Sequence, residues 1–227
     1  MVQFLQAKEV TLRDLINHFQ LQFIEDKHFF GEWQEDIEAI SDQEKELLDK
    51  IKTGYFNLLN YPPFLETSVM MTVLDPLLFI GNFYLFPFHI KAEDSVEIIT
   101  EEQDLIIKGR LDTLIIKEQL WVMIIESKRV IYSVEVGLPQ LLAYLMVNPH
   151  PNRPNYGMLT NGSEFLFVKL LWNDKPLYGT SRLFAMRNPG DLYEVLKILK
   201  HLCQPSEGVE RTTETQRTQR SIASMVS

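Results

Sequence analysis

Leu120-Trp121-Val122-Met123-Ile124-Ile125-Glu126-Ser127-Lys128 is the stretch on which the reading of this chain turns. Its first six residues are apolar without a break, so neither face of an extended strand would be polar. Such a strand is covered on both sides and is expected at the centre of a sheet. The run then ends in Glu126-Ser127-Lys128. Side chains alternate along a strand, so Glu126 and Lys128 fall side by side on one face. A charged pair at a strand end is ordinarily a solvated rim, and the flanking sequence has to say whether it is more.

Upstream, residues 83–89, 96–100, 105–108 and 111–116 are rich in Ile, Val, Phe and Tyr and read as strands of one meander that ends in 120–126. The polar Lys117-Glu118-Gln119 forms the last turn. Downstream, Pro139 suits the first turn of a helix that carries Leu141, Leu142, Leu145 and Met146. Asn161-Gly162 joins two further strands, 156–160 and 164–171, as a hairpin. Asp191 leads a final helix to about Cys203, and the polar tail 204–227 is expected to be mobile.

The first sixty residues read as helical. Ser41-Asp42-Gln43-Glu44 is a capping box, followed by Leu47, Leu48, Ile51, Tyr55 and Leu58 at helical spacing. A second helical pattern runs from Phe64 through Val69, Met70, Val73 and Leu74, with Glu66 in its first turn, until Pro76 interrupts it. The pattern as a whole predicts an α/β fold in three parts. These are an acidic helical region 1–60 packed on the core, a core 61–203 of a mixed sheet flanked by helices, and the flexible tail 204–227.

Composition narrows the function. At 227 residues with 45% apolar and 23% charged content, one globular body burying roughly 70% of its unfolded surface is expected. No apolar run approaches the ~20 residues that span a bilayer, and the N-terminus has no basic segment leading into an apolar one; a soluble cytoplasmic protein without a membrane partner is the expectation. Cys203 is the only cysteine, which excludes an intramolecular disulfide and a zinc site built on paired thiolates. His18, His28, His89, His150 and His201 are scattered without metal-ligand spacing. The net charge of −9 argues against a protein that coats nucleic acid nonspecifically. Residues 1–60 hold twelve acidic and six basic side chains, so most of the excess lies there and a local DNA-binding cleft stays open.

Asp112 lies fourteen positions before Glu126, across the short turn, so hairpin pairing would bring both to one end of the sheet. Two close carboxylates repel unless a cation sits between them, and Mg²⁺ (or Mn²⁺) is bound by such oxygens together with waters and substrate phosphate. The ion would lower the pKa of a bound water and polarise a phosphoryl oxygen. Lys128 could orient the water or stabilise charge developing on the phosphate. This is equipment for phosphodiester hydrolysis.

On these residues the chain resembles the PD-(D/E)xK restriction-endonuclease-like superfamily, and is most similar to the N-terminal nuclease domain of type I restriction enzyme R subunits. The resemblance covers roughly residues 61–172. Glu66 looks like the accessory acidic residue on the helix before the sheet. Gln140 and Tyr144, one helical turn apart, look like the Gln-x-x-x-Tyr element after the Glu-x-Lys strand. Gly157-Met158-Leu159-Thr160-Asn161-Gly162 looks like the strand and turn near the end of that domain. The resemblance implies a restriction-endonuclease-like sheet and a Mg²⁺-dependent endodeoxyribonuclease. Asp112 and Glu126 would be the metal ligands, and Glu66, Lys128 and Gln140 would complete the catalytic set.

The departures are equally specific. Leu111 stands where the family's proline would be, which removes no chemistry. No Gly-Lys-Ser or Gly-Lys-Thr occurs, so the chain carries no ATP-binding motor of this type. Region 1–60 is unexplained by the resemblance. Lys108, Arg110, Arg129 and Tyr144, with Lys169, are candidates for the substrate side, where cations contact DNA phosphates without reading bases. The alternative is a noncatalytic module that binds DNA or protein on the same fold, with a homodimer as one form of it. A third is an accessory subunit whose motor is another chain.

Overall fold

The structure is a computed structural model that describes residues 3–33, 37–61, 65–92, 95–100, 105–117, 120–127, 133–147 and 153–203. In chain order the elements begin with β1 (Gln3–Gln6), α1 (Leu12–Phe19), β2 (Gln22–Phe23) and α2 (Asp42–Leu58). Next come α3 (Glu66–Val69), a π-helical turn (Met70–Leu74) and α4 (Asp75–Ile80). The strands β3 (Phe88–Ala92), β4 (Ser95–Thr100), β5 (Leu105–Arg110), β6 (Thr113–Lys117) and β7 (Leu120–Ser127) follow. After α5 (Leu138–Met146) come β8 (Asn155–Thr160), β9 (Glu164–Asn173), β10 (Lys175–Thr180), β11 (Phe184–Ala185) and α6 (Asp191–Leu202).

The result is an α/β fold built on a mixed eight-stranded sheet of order β2-β10-β9-β8-β7-β6-β3, with β11 also on β9. β7 is interior, parallel to β8 on one side and antiparallel to β6 on the other. From Met123 to Ile125 its apolar side chains are buried on both faces. Met123 and Ile125 join the core under α2, α4 and α6, and Ile124 joins the core under α1 and α5. Burying an apolar side chain of this size contributes ~1.5–3 kcal/mol, so a strand apolar on both faces is stable only between two helical layers.

The strands before β7 are not a simple meander. β3 with β6 and β4 with β5 form a single long antiparallel ribbon. The register does not shift between its halves, since Ala92 pairs with Thr113 and Ser95 with Arg110. The break falls at Leu111-Asp112. Beyond it the ribbon leaves the large sheet and, with β1 added parallel to β5, makes a separate three-stranded sheet. The pleat turns over at this corner: Ile107 and Leu111 before it, then Leu114 and Ile116 after it, all reach the same core cluster.

The N-terminal sixty residues are woven into both sheets. The expected capping box of Ser41 with Glu44 opens α2, and a second one, Thr11 with Asp14, opens α1. They also supply β1, and β2, which pairs parallel to β10. Both pairings join segments distant in the chain, which a local periodicity cannot show. Pro76 does not end its helix. The preceding turn widens to π geometry, with the Asp75 amide donating to the Met70 carbonyl, and the helix resumes as α4. Proline has no amide and crowds the carbonyl four residues back, and a wider turn relieves that crowding. Residues 83–87, expected as strand, are turns in which Leu85 donates to Asn82 and Phe88 to Leu85. The tail 204–227 lies outside the described residues. Among the described residues no helix is long and apolar enough to cross a membrane.

Candidate functional site

Glu126 is the next-to-last residue of β7 and is buried. It is 1% exposed, although it is an acid in a strand of hydrophobes. Its neighbour Ile125 pairs with Thr113 in the last pair of the β6–β7 ladder, and Asp112 immediately precedes Thr113 at the ribbon's corner. Asp112 is half-buried there. The two acids therefore share the end where β6 and β7 stop pairing, one on the strand and one on the bend.

α5 brings the next two groups. Gln140 and Tyr144 stand one turn apart on it, and the Gln140 Nε2 donates to the Tyr144 hydroxyl at 3.0 Å. That hydroxyl in turn donates to the carbonyl of Arg110, also at 3.0 Å, two residues before Asp112. Burial pushes the Tyr144 hydroxyl up to about 12, against the lowering effect of its Gln140 hydrogen bond; the negative charges of Glu126 and Asp112 push in the same upward direction as burial. Tyr144 thus feels both carboxylates, and Asp112, Glu126, Gln140 and Tyr144 lie around one point.

Gly109 makes this arrangement possible, although it falls between the strands 105–108 and 111–116 that the sequence pattern predicts. It lies inside β5, where an added Cβ would sit 2.6 Å from the Tyr144 hydroxyl oxygen, from Tyr144 Cε1 and from Ala7 Cβ. The aromatic ring thus rests directly on the β5 backbone. A lone glycine interrupting a β-rich run is a signal of such close approach.

The other candidates are distributed as follows. Glu66 opens α3, and Val69 of that helix lies against Gly162 at the β8–β9 turn, where a Cβ would be 2.6 Å from Val69 Cγ1. Thr160, at the start of that turn, pairs with Ser127, so α3 stands by the same end of β7 as Glu126. Lys108 and Arg110 are exposed on β5. Lys128 and Arg129 lie outside the described residues. Tyr144, expected on the substrate side, is 1% exposed and has its hydroxyl engaged by protein groups. Lys169 does not line a substrate surface either. It is 6% exposed, its Nζ donates to the Phe29 carbonyl at 2.7 Å, and it rests over the Phe29 ring.

Among the described residues there is no cluster of three or more His, Cys, Asp or Glu side chains able to enclose a metal ion. The donor set is instead two oxygen-only residues at one strand end. That set does not suit a soft or tetrahedral metal with an all-protein shell. It fits a hard cation of the Mg²⁺ kind, which takes one or two carboxylates and fills its octahedron with water and substrate oxygens.

No protein-family model matches this chain, and no curated protein matches it.

Proposed function

We propose that the chain is a metal-dependent nuclease that hydrolyses DNA phosphodiester bonds on a restriction-endonuclease-like fold. The observation that carries this reading is the meeting of Asp112 with Glu126 at the end of a buried central strand, beside the Gln140 and Tyr144 pair. Asp112 and Glu126 would hold Mg²⁺ or Mn²⁺. When bound, the ion supplies a water of lowered pKa and polarises the phosphoryl oxygen under attack.

The chain's own residues supply the rest. Glu126 is buried, so its carboxylate acts in surroundings where charge interactions are stronger than in water. Asp112, half-buried on the corner, would share the ion with a substrate phosphate. Lys128 follows Glu126 by two positions and would stabilise the charge that builds on the phosphate oxygens. Gln140 and Glu66 would support the attacking water and the ligand geometry. Lys108 and Arg110, exposed on β5, would neutralise backbone phosphates without reading sequence.

The test is cleavage of plasmid and short duplex DNA with Mg²⁺ or Mn²⁺ by the parent, Glu126→Ala and Lys128→Ala. Metal-dependent cleavage by the parent and its loss in both variants is the expected result. Equal activity in all three would sink the reading.

A further inference from the structure

The edge of the long ribbon changes partner partway along. β1 runs beside β5 as far as the pairing of Gln6 with Lys108, and β7 runs beside β6 from the pairing of Thr113 with Ile125. Between those pairs lie Gly109, Arg110, Leu111 and Asp112, where the pleat also turns over. A backbone corner of this kind takes its conformation from whatever anchors its two ends. On the β6 side the anchor is the ladder itself. On the β5 side the side chain that reaches it is Tyr144, with its ring on Gly109 and its hydroxyl on the Arg110 carbonyl.

We propose that Tyr144 is a positioning residue: by holding the Arg110 carbonyl it fixes the Leu111-Asp112 corner and keeps the Asp112 carboxylate across from Glu126. The proposal rests on the metal-dependent reading of those two acids. Three observations carry it. Tyr144 is buried and its hydroxyl is engaged by Gln140 and Arg110, so it contacts protein and not substrate. Gly109 leaves a gap that the ring fills, with no room for a Cβ. Both carboxylates act electrostatically on the hydroxyl, which places the two acids near the residue that holds the corner. Reacting and liganding groups tolerate little displacement, and an error of ~1 Å can cost ~100-fold in rate.

The experiment compares the full-length parent with Tyr144→Phe and Asp112→Ala. Calorimetric titration with Mg²⁺ and Mn²⁺ is combined with amide hydrogen exchange measured without metal. Tyr144→Phe keeps the ring on Gly109 and removes one oxygen. Its metal affinity should fall ~10–100-fold, the range seen when a group supporting a ligand is lost. Exchange at Leu111, Asp112 and Thr113 should quicken, while amides in β8 and β9 stay as in the parent. A parent that binds metal, loses it in Asp112→Ala and keeps it undiminished in Tyr144→Phe overturns the positioning role and leaves the metal reading standing. A parent that binds neither ion overturns the metal reading. Unchanged exchange at the corner in Tyr144→Phe overturns the positioning role in either case.

Discussion

Asp112 immediately precedes Thr113, whose pairing with Ile125 is the last of the β6–β7 ladder, so it stands at the same end of that ladder as Glu126. Both carboxylates push the Tyr144 hydroxyl pKa upward, so both lie within electrostatic reach of that one group. Glu126→Gln keeps the shape of the side chain and removes its charge. We predict that this variant folds with the same far-ultraviolet dichroism and loses metal-dependent DNA cleavage by more than the ~100-fold that loss of a merely supporting group brings. Cleavage within tenfold of the parent would remove Glu126 from the site.

Gly109→Ala introduces a methyl where the Tyr144 ring and hydroxyl and the Ala7 methyl already stand. Overpacking of this kind costs ~1–3 kcal/mol. The variant should show a lower urea midpoint with an unchanged slope. A midpoint equal to the parent's would mean that the ring does not rest on the β5 backbone.

Tyr144 also makes stability depend on alkaline pH. Its folded-state pKa of about 12 lies above the unfolded value of ~10, so the neutral hydroxyl is favoured in the folded protein. The associated stability is complete below pH ~10 and is lost as pH rises from there through 12, by up to ~3 kcal/mol. Tyr55, Tyr84 and Tyr178 are shifted upward too, with burial the leading cause. The difference between the parent and Tyr144→Phe therefore isolates this one. Urea denaturation from pH 9 to pH 11.5 should show the parent losing stability more steeply than the variant, and parallel curves would contradict the assignment.

Asp191 at the start of α6 binds three partners: Arg182 Nη2 at 2.7 Å, the Ala185 amide at 2.8 Å and Asn188 Nδ2 at 2.9 Å. Burial raises its carboxyl pKa, but the Arg182 contact and the other hydrogen bonds outweigh burial and leave it below the ordinary value. Its contribution is therefore present above the unfolded pKa of ~3.9 and is lost as pH falls through the lower folded value. Asp191→Ala should cost about 1.5–3 kcal/mol at pH 7, the range of hydrogen bonds to a charged group. The deficit should shrink below pH 4. Chemical denaturation at pH 7 and pH 3.5 checks both; a deficit independent of pH would rule out the ionised carboxylate as its source.

Local signals proved reliable because the forces behind them are local. The Ser41 and Glu44 capping box, the helix begun at Pro139, the Asn161-Gly162 turn and the helix from Asp191 all stand where the sequence places them. Asn161 secures its turn through its own side chain, which accepts from the amides of Ser163 and Glu164. Pro76 misled because a helix can absorb a proline by widening one turn, and no neighbouring residue announces that. Lys169 misled because its partner, the Phe29 carbonyl, belongs to a segment brought in by folding.

The site was legible in part for the same reason. The buried strand ending in Glu126, and the spacing of Gln140 and Tyr144, follow from the periods of a strand and a helix, which the order of residues contains. What only the tertiary structure decided is the meeting of distant segments: β1 beside β5, β2 beside β10, the ribbon that leaves the main sheet at Leu111-Asp112, and Tyr144 lodged on Gly109. These depend on which surfaces remain to be buried once the central sheet has formed, a property of the whole chain. The sequence by itself determined that an acid would end the central strand. The fold decided that Asp112 would share that end of the strand, and that the Tyr144 hydroxyl would reach the Arg110 carbonyl two residues before it.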